Sequence, residues 1–263
     1  MVNHKKSLPL RQKKMTMKRI TTILFLLLAS IYAQAFTLVI DPGHGGKDAG
    51  AIGKNSKEKD INLAVALAFG EMVKANFPDV KVIFTRKTDV FVELSERANI
   101  ANKAKADLFV SIHTNSLPKG RISRGTETYT LGMHKAAENL EVAKRENSVI
   151  TMESNYKTHY EGFDPSSSES YIIFEFMQDQ NMEKSVMFAK NVQQEFAATA
   201  GRKNKGVFQA GFLVLRETSM PSALVELGYI STPDEERYLK SAAGQKALAR
   251  SIYKGFKAYK NKL

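Results

Sequence analysis

Two of the five histidines in this chain stand where hydrophobic runs stop. His44 follows Leu38-Val39-Ile40 in "LVIDPGHGG", and His113 closes the run in "ADLFVSIHTN". Asp41-Pro42-Gly43 breaks a strand, and the glycines around His44 let the backbone turn tightly and leave space beside the ring. Taken alone, His44 reads as a capping or core histidine in a turn, because single-histidine motifs are weak. The second imidazole changes the reading. The run before His113 is almost continuously apolar, as in a strand buried on both faces. Two neutral imidazoles at neighbouring strand ends can converge on one cation. Asn115, two residues further on, can point the same way.

Carboxylates extend the set. Glu226 interrupts the apolar run "SALVELGYI", where a carboxylate is costly unless it has a partner or a task. Glu58, in "SKEKDINLAV" just before a predicted helix, reads by itself as a solvated acid among lysines. A His, Glu, His set matches a catalytic zinc site with one position left for water, and a separate buried glutamate beside it matches a general base and acid. The intervals are 14 residues from His44 to Glu58 and 55 from there to His113. There is no local H-E-x-x-H, so spacing alone leaves the grouping open. Neither a G-x-S-x-G nucleophile elbow nor a Walker phosphate loop is present.

The elements that must position these residues alternate. Strand patterns cover Phe36 to Ile40, Val80 to Thr85, Asp107 to His113, Thr126 to Leu131, Phe212 to Leu215 and Ser222 to Leu227. Helical patterns cover 60–76, 93–105, 134–148, 180–199, 233–240 and 242–260, the first with Asp60 as its expected cap. Such alternation predicts an α/β fold with a central, mostly parallel or mixed sheet flanked by helices and ligands at the strands' carboxyl ends. Residues 149–180 break the pattern: a polar stretch, "NYKTHYEGFDPSSSES", runs into the apolar "YIIFEFMQDQ". A segment this long between elements is usually functional or disordered.

Composition bounds the rest. The chain has 263 residues, 43% of them hydrophobic, and no cysteine. It is long enough for an ordinary core, has no disulfide framework, and can hold a metal only with His and carboxylates. Residues 1–19 carry seven Lys or Arg and no acid; an apolar run over 20–33 and a small-residue Ala33-Gln34-Ala35 site follow. This reads as a secretory signal over 1–35, with 36–263 as the catalytic domain and Met15 or Met17 as other candidate starts. Removing its seven positive charges takes the formal net charge from +12 to +5. That mild basic bias suits an anionic polymer and does not support nucleic-acid binding.

Several stretches together identify a family resemblance: "VIDPGHGGKDAGAIG", "KEKDINL", "FTRKTDVFVELSERANIANKAKADLFVSIHTN", "GTETYTL" and "SALVELGYISTPDEERYL". In these the chain resembles the zinc-dependent N-acetylmuramoyl-L-alanine amidases, the type-3 amidase family of cell-wall hydrolases. The resemblance spans about residues 37–240 and implies one α/β domain. It carries zinc ligation onto His44, Glu58 and His113 and the catalytic glutamate onto Glu226, with Zn2+ as cofactor and the amide between N-acetylmuramic acid and L-alanine in peptidoglycan as the bond cleaved. Arg97 matches a family pattern and is expected to hold a helix against the sheet; His134 and His159 match none and are expected on the surface.

Some members of this family that act at cell division carry an insert in which a helix covers the active site until a LytM-domain activator displaces it. Residues 149–180 resemble such an insert, and Glu169 or Glu175 is the expected blocker. The implied setting is the periplasm, or secretion in a Gram-positive cell, with wall remodelling and daughter-cell separation as the role. The protein is expected to be a monomer with no stable membrane anchor after signal cleavage. Two other readings stand beside this one: a zinc carboxypeptidase or endopeptidase of the same wall, and a non-catalytic wall-binding protein.

Overall fold

A computed structural model describes residues 35–154, 156–175 and 180–263. The expected leader, apart from Ala35, lies outside the described residues, and no described helix is long and apolar enough to cross a membrane. From Phe36 onward, runs rich in Val, Ile and Leu form six strands: β1 (Phe36–Pro42), β2 (Val80–Phe84), β3 (Leu108–Asn115), β4 (Thr126–Leu131), β5 (Asn204–Ala210) and β6 (Ser222–Tyr229). They make one sheet in the order β2-β1-β3-β6-β4-β5. The first four in that order are mutually parallel, and β4 lies antiparallel to β6 and parallel to β5.

Successive residues of a strand face opposite sides, and here each side has its own core. Leu38, Ile40, Val110 and Val225 face the helices α1 (Glu58–Asn76), α4 (Met182–Ala200) and α6 (Ala242–Lys260). Val39, Phe109 and Leu224 face the other way, towards α2 (Leu94–Lys103) and α3 (Ala137–Asn147). A shorter helix, α5 (Pro233–Leu239), follows β6. Local signals agree with these bounds. The Ser241 hydroxyl accepts from the Gly244 N–H at the start of α6, α5 opens with Pro233, and α4 ends on Gly201 at a φ of 61°.

Three expectations need correction. Phe212 to Leu215 is not a strand: Leu213–Arg216 forms one helical turn. Four buried apolar residues fit either form, and length alone could not separate them. The outer strand is β5 instead, a half-buried edge in "NKGVFQA" whose polar residues gave no apolar run. Asp60 does not cap α1. The helix begins two residues earlier, after Lys57, which makes no side-chain cap bond. Glu58 is thus the helix's first residue rather than a loop residue before it, and its carboxylate turns inward.

The described residues of 149–180 pack on the α2/α3 side. Val149, Ile150, Tyr160, Phe163, Tyr171 and Phe174 are buried in that core. The Leu94 N–H at the start of α2 and the Tyr160 hydroxyl both donate to the Glu153 carboxylate, at 2.7 and 2.8 Å. Lys47, beside the His44 turn, donates to the Met152 carbonyl at 2.6 Å. Of the apolar cluster, Phe174 is buried, Ile172 and Ile173 are exposed, and Phe176 and Met177 lie outside the described residues.

Candidate active site and metal centre

The carboxyl ends of β1 and β3 and the first turn of α1 meet at one point. His44 lies just past β1 with a φ of 62°, in the left-handed region that side chains rarely adopt. Arg97 of α2 holds this turn. Its guanidinium, 2% exposed, donates to the Pro42 and His44 carbonyls, both at 2.8 Å, and pairs with Asp41 Oδ1 at 2.8 Å. Arg97 therefore supports the site through the backbone, as expected from its place in the helix. The space left by Gly43 belongs to the other histidine: a Cβ there would stand 2.3 Å from His113 Nε2.

His44 Nε2 lies 3.1 Å from Glu58 Oε1, and His113 Nδ1 lies 3.3 Å from the same oxygen. The two rings meet edge to face, with centroids 4.8 Å apart. All three sequence-predicted ligands are brought together and buried. The Thr114 N–H and the Asn62 amide donate to Glu58 Oε1, and the Ala51 N–H donates to its other oxygen.

Two partners were missed from sequence. Asp48 accepts from His44 Nδ1 at 2.7 Å. A carboxylate can only accept here, so the proton sits on Nδ1 and Nε2 faces the cluster, the usual arrangement behind a metal-binding histidine. Glu146, near the end of α3, places Oε2 3.0 Å from His44 Nε2 and 2.9 Å from His113 Nδ1. Its signal was present but faint. Glu146 lies on the same buried stripe as Val142 and Ala143, where a lone carboxylate is out of place.

The four side chains His44, Glu58, His113 and Glu146 each offer one ligand atom, all within 4.8 Å of one another. Their electrostatics fit a cation. Burial disfavours a charged ring at His44, yet the Glu58 carboxylate, with hydrogen bonds to Asp48 and Glu146, raises its proton affinity well above the ordinary value. At His113 burial is likewise outweighed, chiefly by Glu146, and the pKa is pushed up to about 9. The site gathers positive charge, whether as protons or as a metal. His113 Nδ1 also makes no well-aligned hydrogen bond although fully buried, as suits an atom that ligates. Two imidazole nitrogens and carboxylate oxygens without thiolate suit a divalent ion such as zinc.

Glu226 of β6 sits beside His113 in the parallel register of β3 and β6. It is 1% exposed; Oε1 lies 3.5 Å from the Arg145 guanidinium, and Oε2 has no partner among the described residues. Burial raises its pKa well above the usual carboxylate value; Glu146 adds to the rise and Arg145 opposes it. Arg145 also pairs with Glu146 Oε1 at 2.7 Å. Asn115 does not join the cluster, since its amide donates to Glu127 on β4 at 3.0 Å. Nor does Glu169, which is exposed and accepts from the Ser167 hydroxyl. The side chain of Glu175 lies outside the described residues. His159 is exposed and His134 half-buried.

Comparison with known proteins agrees with this geometry. Residues 38–258 match the family described as N-acetylmuramoyl-L-alanine amidase. The chain is 34% identical over 227 residues to the amidase AmiC of Escherichia coli O6:H1, covering 84% of this chain and 52% of the relative. It is 32% identical over 225 residues to AmiA of E. coli K12, covering 84% and 75%. This chain thus spans about half the length of the first relative. Among solved structures, an amidase from Clostridium difficile 630 superposes with a TM-score of 0.65 at 29% identity, covering 87% of this chain and 98% of that one. The catalytic domain of CwlV, from Bacillus (Paenibacillus) polymyxa var. colistinus, gives 0.63 at 31%, covering 86% and 98%. The matched family spans every strand of the sheet but the first two residues of β1, and with it all four clustered side chains and Glu226; the chain belongs to the N-acetylmuramoyl-L-alanine amidase family.

Proposed function

We propose that this protein is a zinc-dependent amidase that hydrolyses the bond between the lactyl group of N-acetylmuramic acid and L-alanine in peptidoglycan. The observation that carries the reading is the convergence of His44, Glu58 and His113 on one point, with Glu226 against His113 on the adjoining strand. Held by those three side chains, zinc would supply a Lewis acid for the scissile carbonyl and a water whose pKa falls towards ~7. The chain's own residues do the rest. Glu226, through its free Oε2, accepts the attacking water's proton and returns it to the departing L-alanine amine. Asp48 fixes the tautomer of His44, and Arg97 fixes the turn that presents it.

Glu146 fits a second part of the proposal. A catalytic zinc site keeps one position open, whereas a closed four-donor site is structural. The Glu146 carboxylate offers a fourth donor to the same cluster and would close such a site, and Arg145 leans on Glu226. We read this as a self-blocked state, with α3 and the packed 149–180 segment as its holder. Glu146, not Glu169, is then the blocker. Such a state suits an exported wall enzyme used at a chosen moment, as in daughter-cell separation, and released by a LytM-domain activator. The leader-like sequence over 1–35 supports export to the periplasm.

The test is digestion of purified sacculi by the zinc-loaded protein, with soluble products read by mass spectrometry. Peptides carrying a free L-alanine amine are expected, slowly from the natural protein and faster once Glu146 is replaced by Ala. Fragments cut within the stem would assign a carboxypeptidase or endopeptidase, and no release even with the block removed would leave only a wall-binding role.

A further inference from the structure

The connection between β3 and β4 forms one wall of a groove whose lining includes Arg145, the partner of Glu226. Residues 116–125, "SLPKGRISRG", hold three basic residues and no acid. Their ends are pinned to the start of α5. The Leu117 N–H donates to the Ser231 hydroxyl at 2.9 Å, the Thr232 hydroxyl donates to the Ser123 carbonyl at 2.9 Å, and Arg124 pairs with Asp234 at 2.6 Å. The tip is free. Lys119 and Arg121 are exposed and form no ion pair among the described residues, and Ile122 beside them is 64% exposed.

A groove of about 530 Å³ lies between this loop and α3, with Leu117, Pro118 and Arg121 on one wall and Val142 and Arg145 on the other. Its inner end is the Arg145 guanidinium, which donates to the Ser116 carbonyl at 2.9 Å and reaches Glu226 Oε1 at 3.5 Å. The groove therefore ends on a side chain that touches the candidate catalytic carboxylate, which is itself buried behind it. The α3 wall contributes two acids, Glu138 and Glu141. In the state read above as blocked, it is this wall that would move, while the basic wall is fixed to the domain.

We infer that the Leu117–Arg124 loop is a substrate subsite, in which Lys119 and Arg121 hold the free carboxylates of the peptide stem while its apolar parts lie on Leu117 and Pro118. The inference rests on the amidase reading. Its support is charge complementarity: an acid-free basic loop, anchored at both ends and sharing a groove with Arg145, the partner of Glu226, faces a polymer whose stems carry carboxylates. Attraction of this kind between exposed charges is screened by salt within about 10 Å at 0.1 M.

The test is co-sedimentation of the full-length protein with purified sacculi, for the natural sequence and the double variant Lys119→Ser/Arg121→Ser. Because both side chains are exposed and unpaired, the variant is expected to melt at an unchanged temperature. It should bind sacculi about three- to tenfold more weakly at low salt, as two exposed ion pairs would allow. The difference should vanish at high salt. Sacculi whose carboxylates have been converted to amides should bind the natural protein no better than the variant. Equal binding of variant and natural protein to native sacculi would overturn the inference. So would undiminished binding to amidated sacculi, or anionic phospholipid vesicles competing as well as soluble stem peptides. The two readings fail separately: carboxylate-dependent binding through this loop, with no amine released even by the Glu146→Ala variant, would sink the amidase reading alone.

Discussion

The carboxyl of Glu226 leans on Arg145 with one oxygen and leaves the other without a partner, so its two possible roles can be told apart. As a base it is dispensable for metal and indispensable for turnover. Glu226→Gln should keep the metal content of the natural protein and lose about 10²–10⁴ in turnover on sacculi, the share general acid–base catalysis usually supplies. Loss of metal from that variant would make Glu226 a ligand instead. His113 lies on the other side of this distinction. His113→Ala removes one of two imidazoles from the cluster and should abolish stoichiometric zinc binding, read by metal analysis after dialysis. Full occupancy in that variant would reassign the site. Asp48 belongs with the ligands, although His44 is the one member of the cluster it bonds: partners of this kind typically change metal affinity by about 10–100-fold.

At the scale of elements, α3 and the 149–180 segment act as one unit. The segment is tied at Glu153 to the start of α2 and at Met152 to Lys47, and its aromatic residues share a core with α3. Replacing 149–180 by a short linker would test the block crudely. It would also strip Tyr160, Phe163, Tyr171 and Phe174 from that core, at about 1.5–3 kcal/mol for each large side chain exposed. A single change is cleaner. Glu146→Ala leaves His44, Glu58 and His113 in place, and should raise the rate of stem release from sacculi while zinc stays bound. A rate no higher than that of the natural protein, from a variant still dependent on Glu226, would mean that Glu146 is a ligand or bystander and that the gate lies elsewhere.

For the whole molecule, the buried Asp41–Arg97 pair links the site to stability. Burial disfavours the Asp41 carboxylate, but Arg97, with hydrogen bonds from Thr85 and Ser111, holds its pKa below the usual range. The folded state therefore binds fewer protons at Asp41 than the unfolded chain does. The stability this gives is fully present above about pH 4 and is lost as pH falls through the depressed folded value. Arg97→Met strands a buried carboxylate and should cost about 3–5 kcal/mol at neutral pH. The gap between variant and natural protein should narrow as pH falls from neutral: the stranded, buried carboxyl takes up its proton above the ordinary value, and below about pH 4 the natural protein also loses its ion pair. Urea unfolding across that range measures it; a gap independent of pH would mean that the contacts of Arg97 with the Pro42 and His44 carbonyls, not its charge, carry its effect.

Sequence by itself settled what local pattern can settle. Buried parallel strands announce themselves as apolar runs, which is why β1, β3 and β6 were legible, along with the residues at their ends: His44, His113 and Glu226. Helices of ten or more residues were legible from their period. What pattern could not settle was anything that depends on a partner distant in sequence. Edge strand β5 is half-buried and polar, so it lacked a run, and the turn at Leu213–Arg216 buries three consecutive apolar residues, so it lacked a period. Glu58 looked like a surface acid until α1 turned it inward. Glu146, 102 residues from His44, became visible only when α3 folded over the strand ends. A carboxylate's meaning depends on whether water or a cationic site surrounds it, and that is decided by tertiary packing.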